Sequence, residues 1–239
     1  MGKIAFLGDS ITKGTDYGGV TSADTFASIV GVALGYATSN IINAGRSGDT
    51  TIGMAARYPA DVLAQGATVC AVMGMFNDII QSVPVADYAN ALRSIASQAA
   101  AAHTKCVFVS PPIWRSDEAG HARNREYVYA MERVAAEVGC PFIDCYRNYA
   151  FDYLCATATF LTWYAPNDAM HQSKAGHVQL SKIMLRSCFA KCWEPLLAVS
   201  APDASASVSN MALAIARYLV NGQSPADLLP VSEELNKFS

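Results

Sequence analysis

Five short apolar runs, at residues 3–7, 40–43, 68–73, 105–110 and 141–145, are separated by segments whose apolar positions recur every three or four residues. Each run is apolar almost without interruption, the pattern of a strand covered on both faces rather than one with a wet side. The intervening segments carry a single apolar stripe. Tyr88, Leu92, Ile95 and Ala99 form one such stripe, Tyr127, Met131, Val134 and Val138 a second, and Val178, Leu185 and Phe189 a third. Strands that need two covered faces and helices that need one are satisfied together by a parallel sheet between two helix layers. The expected fold is a doubly wound α/β sandwich with five parallel strands.

The chain is long enough to build this around one core. Its 239 residues are 52% apolar, and a chain of this size buries roughly 70–75% of its unfolded surface, so neither disulfides nor a metal are needed for stability. At 200–207 the composition shifts to Ala, Ser, Pro and Asp, and beyond it Met211, Leu213, Ala214, Tyr218 and Leu219 give one apolar face. The expected organisation is a domain over 1–199, then a linker with a C-terminal helical tail over 200–239. That tail suits docking on the domain, on a partner subunit or in an assembly, so a homo-oligomer is among the expectations.

Several classes of partner are disfavoured. Lys and Arg number 17 against 20 Asp and Glu, a net charge of −3, which offers no electrostatic footprint for a nucleic acid. The longest stretch without a charged residue, 25–45, contains Thr38, Ser39, Asn40 and Asn43 and is too polar to cross a membrane. The apolar run at 4–7 is shorter than a signal peptide's core, and Phe6 stands where a myristoylation signal needs Ser or Thr. A chain with no signal peptide or transmembrane segment is expected in the cytoplasm by default, or as part of a larger secreted or assembled particle. The seven cysteines form no C-x-x-C pair; they are expected as buried filler in a reducing compartment.

In an open α/β sheet, ligands bind at the carboxyl ends of the strands near the point where strand order reverses. Three small, polar loops follow the first three strands: Gly8-Asp9-Ser10-Ile11-Thr12, Asn43-Ala44-Gly45-Arg46-Ser47-Gly48-Asp49-Thr50 and Gly74-Met75-Phe76-Asn77-Asp78. A serine after a strand is usually a cap or turn residue. It becomes a nucleophile only where a base takes its proton and a third group orients that base. Of the four histidines, His103 and His177 have no acid three residues earlier, whereas His121 has Glu118 and His171 has Asp168. Glu118 and His121 lie among Arg115, Asp117, Arg123, Arg125 and Glu126, the composition of a solvated face. Asp168 and His171 lie in a loop leading into the last core helix, where they can overhang the strand ends.

These blocks resemble the motifs of the SGNH hydrolases, the GDSL-type esterase and lipase superfamily. Gly8 to Thr12 is similar to the first block, with Ser10 in the nucleophile position. Asn43 to Thr50 resembles the second, where Gly48 falls on the glycine whose N–H faces the oxyanion, and Asn77 matches the side-chain donor of the third. Asp168-Ala169-Met170-His171 matches the final D-x-x-H, supplying orienter and base. One position departs from the pattern: Met75 stands where the family carries glycine, which puts the placement of Asn77 in question. The G-x-S-x-G elbow is absent, with Thr12 at its last glycine, and so are the P-loop and G-x-G-x-x-G patterns.

The resemblance implies a three-layer, flavodoxin-like sandwich and a carboxylic ester hydrolase that works through an acyl-enzyme, with no cofactor and no metal. The oxyanion donors implied are the N–H groups of Ser10 and Gly48 and the Asn77 amide. The substrate is expected to be a small-molecule or glycan ester, with removal of O-acetyl groups from carbohydrate the leading expectation. A lysophospholipase or thioesterase is the alternative, and a non-catalytic carbohydrate-binding or assembly module the alternative of another class. Asp9, Arg46, Phe76, Trp114 and Tyr164 are the expected substrate contacts. Arg46 is suited either to an acidic sugar or to a salt bridge with Asp49, Asp9 and Asp78 to loop N–H groups, and His177 to packing.

Overall fold

The computed structural model describes residues 2–114, 118–155 and 157–187. The expected linker and tail at 200–239, together with Cys188, Phe189 and Cys192, lie outside the described residues. Five parallel strands form one sheet: β1 (Lys3–Gly8), β2 (Ile41–Gly45), β3 (Ala67–Met73), β4 (Lys105–Val109) and β5 (Phe142–Ile143). Their spatial order is β2-β1-β3-β4-β5, the flavodoxin-like arrangement, with the chain reversing direction beside β1. β1, β3 and β4 are almost wholly buried, as their unbroken apolar runs require. β2, at one edge, is only half-buried.

The helices follow the expected alternation: α1 (Ser10–Lys13), α2 (Phe26–Ala33), α3 (Thr51–Tyr58), α4 (Phe76–Ile80), α5 (Val85–Ala101), α6 (Glu118–Val138), α7 (Cys145–Cys155), α8 (Thr157–Leu161) and α9 (Lys174–Ser187). α2 packs on α9, while α3 packs on α5 and α5 on α6. These two groups are the outer layers of the sandwich. Tyr88, Leu92, Ile95 and Ala99 all face the core, as do Tyr127, Met131 and Val134. Val138 does not: as the last residue of α6 it is exposed.

Two strand boundaries differ from the expectation for local reasons. Asn40 closes a 3₁₀ turn through its N–H to the Ala37 carbonyl, so β2 starts one residue later and runs on until Gly45 pairs with Gly8. β5 shrinks to two residues because Asp144 accepts from the Arg147 N–H at 2.8 Å and starts α7 at Cys145, an acidic side chain satisfying a first-turn amide. Cys70, Cys106 and Cys145 are buried thiols and Cys140 is half-buried. Among the described residues, no helix is long and apolar enough to cross a membrane.

Candidate active site

The reversal of strand order brings the ends of β1, β2 and β3 side by side, and the three polar loops leave the sheet there. Asp9 accepts from the Ile11 N–H at 2.9 Å, which starts α1 and sets Ser10 in its first turn. The turn is tight: a Cβ on Gly8 would lie 2.6 Å from the Met73 carbonyl oxygen. On the far side, the chain from Trp163 to Ser173 folds back on itself. Tyr164 bridges Gln172, the Ser173 N–H donates to the Trp163 carbonyl, and the Ala165 N–H donates to the His171 carbonyl at 2.9 Å. α9 is drawn so close beneath this loop that a Cβ on Gly176 would stand 1.9 Å from the Trp163 oxygen.

That loop delivers His171 to Ser10. His171 Nε2 lies 2.9 Å from Ser10 Oγ, and its Nδ1 lies 2.8 Å from Asp168 Oδ2. Burial works against the charge on Asp168, but the N–H groups of His171 and Met170 donate to Oδ1 at 2.8 and 2.7 Å. Together with the imidazole they hold its pKa below the ordinary 3.8. An ionised Asp168 places the ring proton on Nδ1, which leaves Nε2 as the acceptor for the serine hydroxyl. The arrangement can therefore withdraw a proton from Ser10. Tyr17 lies flat against the imidazole, with ring centroids 3.5 Å apart and planes 12° from parallel.

Gly48 and Asn77 occupy the neighbouring loops. Gly48 has φ 79°, in the left-handed region that favours glycine, and its N–H takes no hydrogen-bond partner among the described residues. Asn77 opens α4, and its side-chain amide is likewise without a hydrogen-bond partner among them. The two loops are tied together. Gln81 donates to the Gly48 carbonyl at 3.0 Å, and Asp78 accepts from the Thr51 N–H at 3.0 Å and from its hydroxyl at 3.0 Å. Met75, in place of the family glycine, has an extended φ of 176° and a side chain wholly buried in the core, so its thioether packs inward beneath the loop.

Three of the expected substrate contacts are buried in the structure. Phe76 is fully buried and Tyr164 is 4% exposed, its hydroxyl donating to the Ile113 carbonyl; neither ring presents a free face. Asp9 is 1% exposed and is spent on the Ile11 N–H, with burial pushing its pKa up to about 7. Trp114 is half-buried, edge-on to Phe76 at 5.8 Å. Arg46 is exposed and pairs at 3.4 Å with Asp61, not with Asp49. A polar cleft of about 360 Å³ opens beside it, lined in part by Lys13, Asn43, Ser47 and Gln65.

Asp49 belongs instead to Arg57, which the sequence did not single out. The buried guanidinium donates to Asp49 at 2.6 Å, to Asp61 at 2.8 Å and to the Ala44 and Gly8 carbonyls, each at 2.8 Å. It gathers the ends of β1 and β2 and the loop that carries Gly48. The only sequence signal is the i, i+4 pair Arg57–Asp61; the other three acceptors are brought in by the sheet. His121 sits on α6, and it is His171 whose Nε2 accepts from the Ser10 hydroxyl. His177 packs on Phe26 and accepts from its N–H at 3.3 Å, with burial pushing its pKa down to about 4. Among the described residues, no group of three or more His, Cys, Asp or Glu side chains is placed to hold a metal ion.

The sequence pattern of the GDSL-like lipase/acylhydrolase family matches residues 6–179. An acetylxylan esterase from Geobacillus stearothermophilus is 26% identical over 208 residues, covering 77% of this chain and 92% of that protein. The crystal structure of a catalytic mutant of an acetylxylan esterase from the same organism aligns with a TM-score of 0.65 at 21% identity, over 78% of this chain and 93% of the other. That of a lipase/acylhydrolase from Enterococcus faecalis aligns with a TM-score of 0.63 at 24% identity, over 79% and 95%.

Proposed function

The chain belongs to the GDSL-like lipase/acylhydrolase family, and from that membership we propose that it is a serine esterase that removes O-acetyl groups from carbohydrate. The observation that carries the reading is the unbroken hydrogen-bonded chain from Ser10 through His171 to Asp168. In acylation, Ser10 Oγ attacks the ester carbonyl while its proton passes to His171 Nε2. The carbon–oxygen bond to the alcohol then breaks, and the alcohol leaves with that proton. Water repeats the sequence on the acyl-enzyme: its oxygen bonds to the acyl carbon, its proton passes to Nε2, and the Oγ–acyl bond breaks as Oγ recovers the proton. Proton transfer of this kind contributes roughly 10²–10⁴ in rate. Asp168 keeps the ring in the required tautomer and stabilises the imidazolium.

The developing oxyanion is held by the N–H groups of Ser10 and Gly48 and by Asn77 Nδ2, each donor contributing about 2.7–4 kcal/mol. Support for a carbohydrate substrate comes from the acetylxylan esterase relative, from the hydrogen-bonding cleft at Arg46 and Ser47 beside this loop, and from the half-buried Trp114 ring on the same sheet edge. The test is Ser10→Ala. The variant keeps its fold and loses turnover of p-nitrophenyl acetate; an unchanged rate refutes the mechanism. A wild-type preference for acetyl over p-nitrophenyl esters of eight or more carbons, with acetate release from acetylated xylo-oligosaccharides, supports the substrate class. A preference for the long chains points instead to a lipid or thioester.

A further inference from the structure

Tyr17 lies outside every block read from the sequence, yet its ring covers one face of the His171 imidazole. The segment that brings it there, residues 14–20, has neighbours on three sides. Asp16 accepts from Lys13 Nζ at 2.8 Å and from Ser47 Oγ at 2.5 Å, which ties the segment to α1 and to the loop after β2. On its other flank, a Cβ on Gly18 would come within 3.5 Å of Ala165 and Ser173, the two shoulders of the loop that carries His171. The stack is thus part of a strap between α1, the loop after β2 and the loop that carries His171, and not the chance resting place of a free side chain.

The imidazole has two hydrogen-bonded anchors, Asp168 at Nδ1 and Ser10 at Nε2. The lone pair and the N–H of an imidazole lie in the ring plane, so hydrogen bonds at its two nitrogens do little to resist rocking about the axis that joins them; a ring pressed on the face does. The two anchors also do not survive equally through the reaction. Once Oγ is esterified it has no hydrogen to donate, and Nε2 loses its serine partner at the stage when it must take a proton from water.

Resting on the acyl-enzyme reading above, we propose that Tyr17 is a positioning residue whose ring holds His171 in place for deacylation. In acylation the stack is backed by the Ser10 hydrogen bond. In deacylation it acts with Asp168 alone, so its removal falls mainly on the second step.

The experiment is stopped-flow kinetics of the full chain with p-nitrophenyl acetate, resolving acylation and deacylation, with intact-mass measurement during turnover. Tyr17→Ala is expected to slow deacylation by about ten- to a hundredfold, the scale of a misplaced catalytic group. Acylation changes far less, a burst of p-nitrophenol precedes the slowed steady state, and protein carrying one acetyl group accumulates. Tyr17→Phe, which keeps the face, behaves as wild type. Should the alanine variant fail to fold, Tyr17→Leu removes the aromatic face with less loss of bulk and is expected to show the same burst. Equal slowing of both steps, no slowing at all, or loss in Tyr17→Phe as large as in Tyr17→Ala overturns the proposal. Its failure is distinct from that of the serine mechanism, which falls if Ser10→Ala retains activity.

Discussion

Replacing Arg57 with Met should cost this fold more than any single change to its surface ion pairs. The guanidinium is 8% exposed and Asp49, its partner at 2.6 Å, is 11% exposed. Asp61 and the Gly8 carbonyl each keep a second donor, from Arg46, and the Ala44 carbonyl stays in the β1–β2 ladder, so the penalty falls chiefly on Asp49, left nearly buried with its charge uncompensated. Breaking a buried pair from one side costs about 3–5 kcal/mol, which for a domain of this size lowers Tm by roughly 6–20 °C. Urea and thermal unfolding followed by circular dichroism measure both. Adding Asp49→Asn to Arg57→Met removes the stranded charge and should recover part of the loss. A shift below about 1 kcal/mol, the scale of an exposed pair, or a double variant no better than the single one, would refute this account of the latch.

Asn77→Ala removes a donor whose side chain has no structural partner among the described residues, so kcat on p-nitrophenyl acetate should fall about 10²–10³-fold while stability stays within about 0.5 kcal/mol; a loss of stability without loss of kcat would assign the residue to packing. Burial raises Asp9 from 3.8 to about 7, so the native state holds a proton that the unfolded chain has released, and stability falls as pH rises from about 4 to about 7. Asp9→Asn keeps an acceptor for the Ile11 N–H and should flatten that fall, gaining on the order of 4 kcal/mol at pH 8 with little change at pH 4; parallel stability profiles for the two proteins would contradict it.

Much of the architecture was legible because it rests on short-range pattern. Unbroken apolar runs identify strands covered on both faces, and β1, β3 and β4 fall within a residue of those runs. The edges were not, since a cap on Asp144 or a turn at Asn40 competes locally with strand pairing in ways that hydrophobicity does not register. The pairing of Ser10 with His171 was likewise visible in outline: the loops after successive parallel strands must share an edge, and Asp168 stands three residues before its histidine. Aromaticity alone did not tell that Phe76 and Tyr164 are buried, because a ring near a strand end can serve the core as readily as a ligand. Arg57 and Tyr17 were beyond reach for a different reason. Apart from the local Arg57–Asp61 pair, their partners, Gly8, Ala44 and Asp49 in one case and His171 in the other, become neighbours only after the sheet has closed.

The most direct measurement is peptide mapping of the chain after reaction with a fluorophosphonate. A single adduct is predicted, on Ser10, and strongly suppressed labelling in a folded His171→Ala variant. An adduct on another residue, or labelling that proceeds undiminished without the imidazole, would contradict the account.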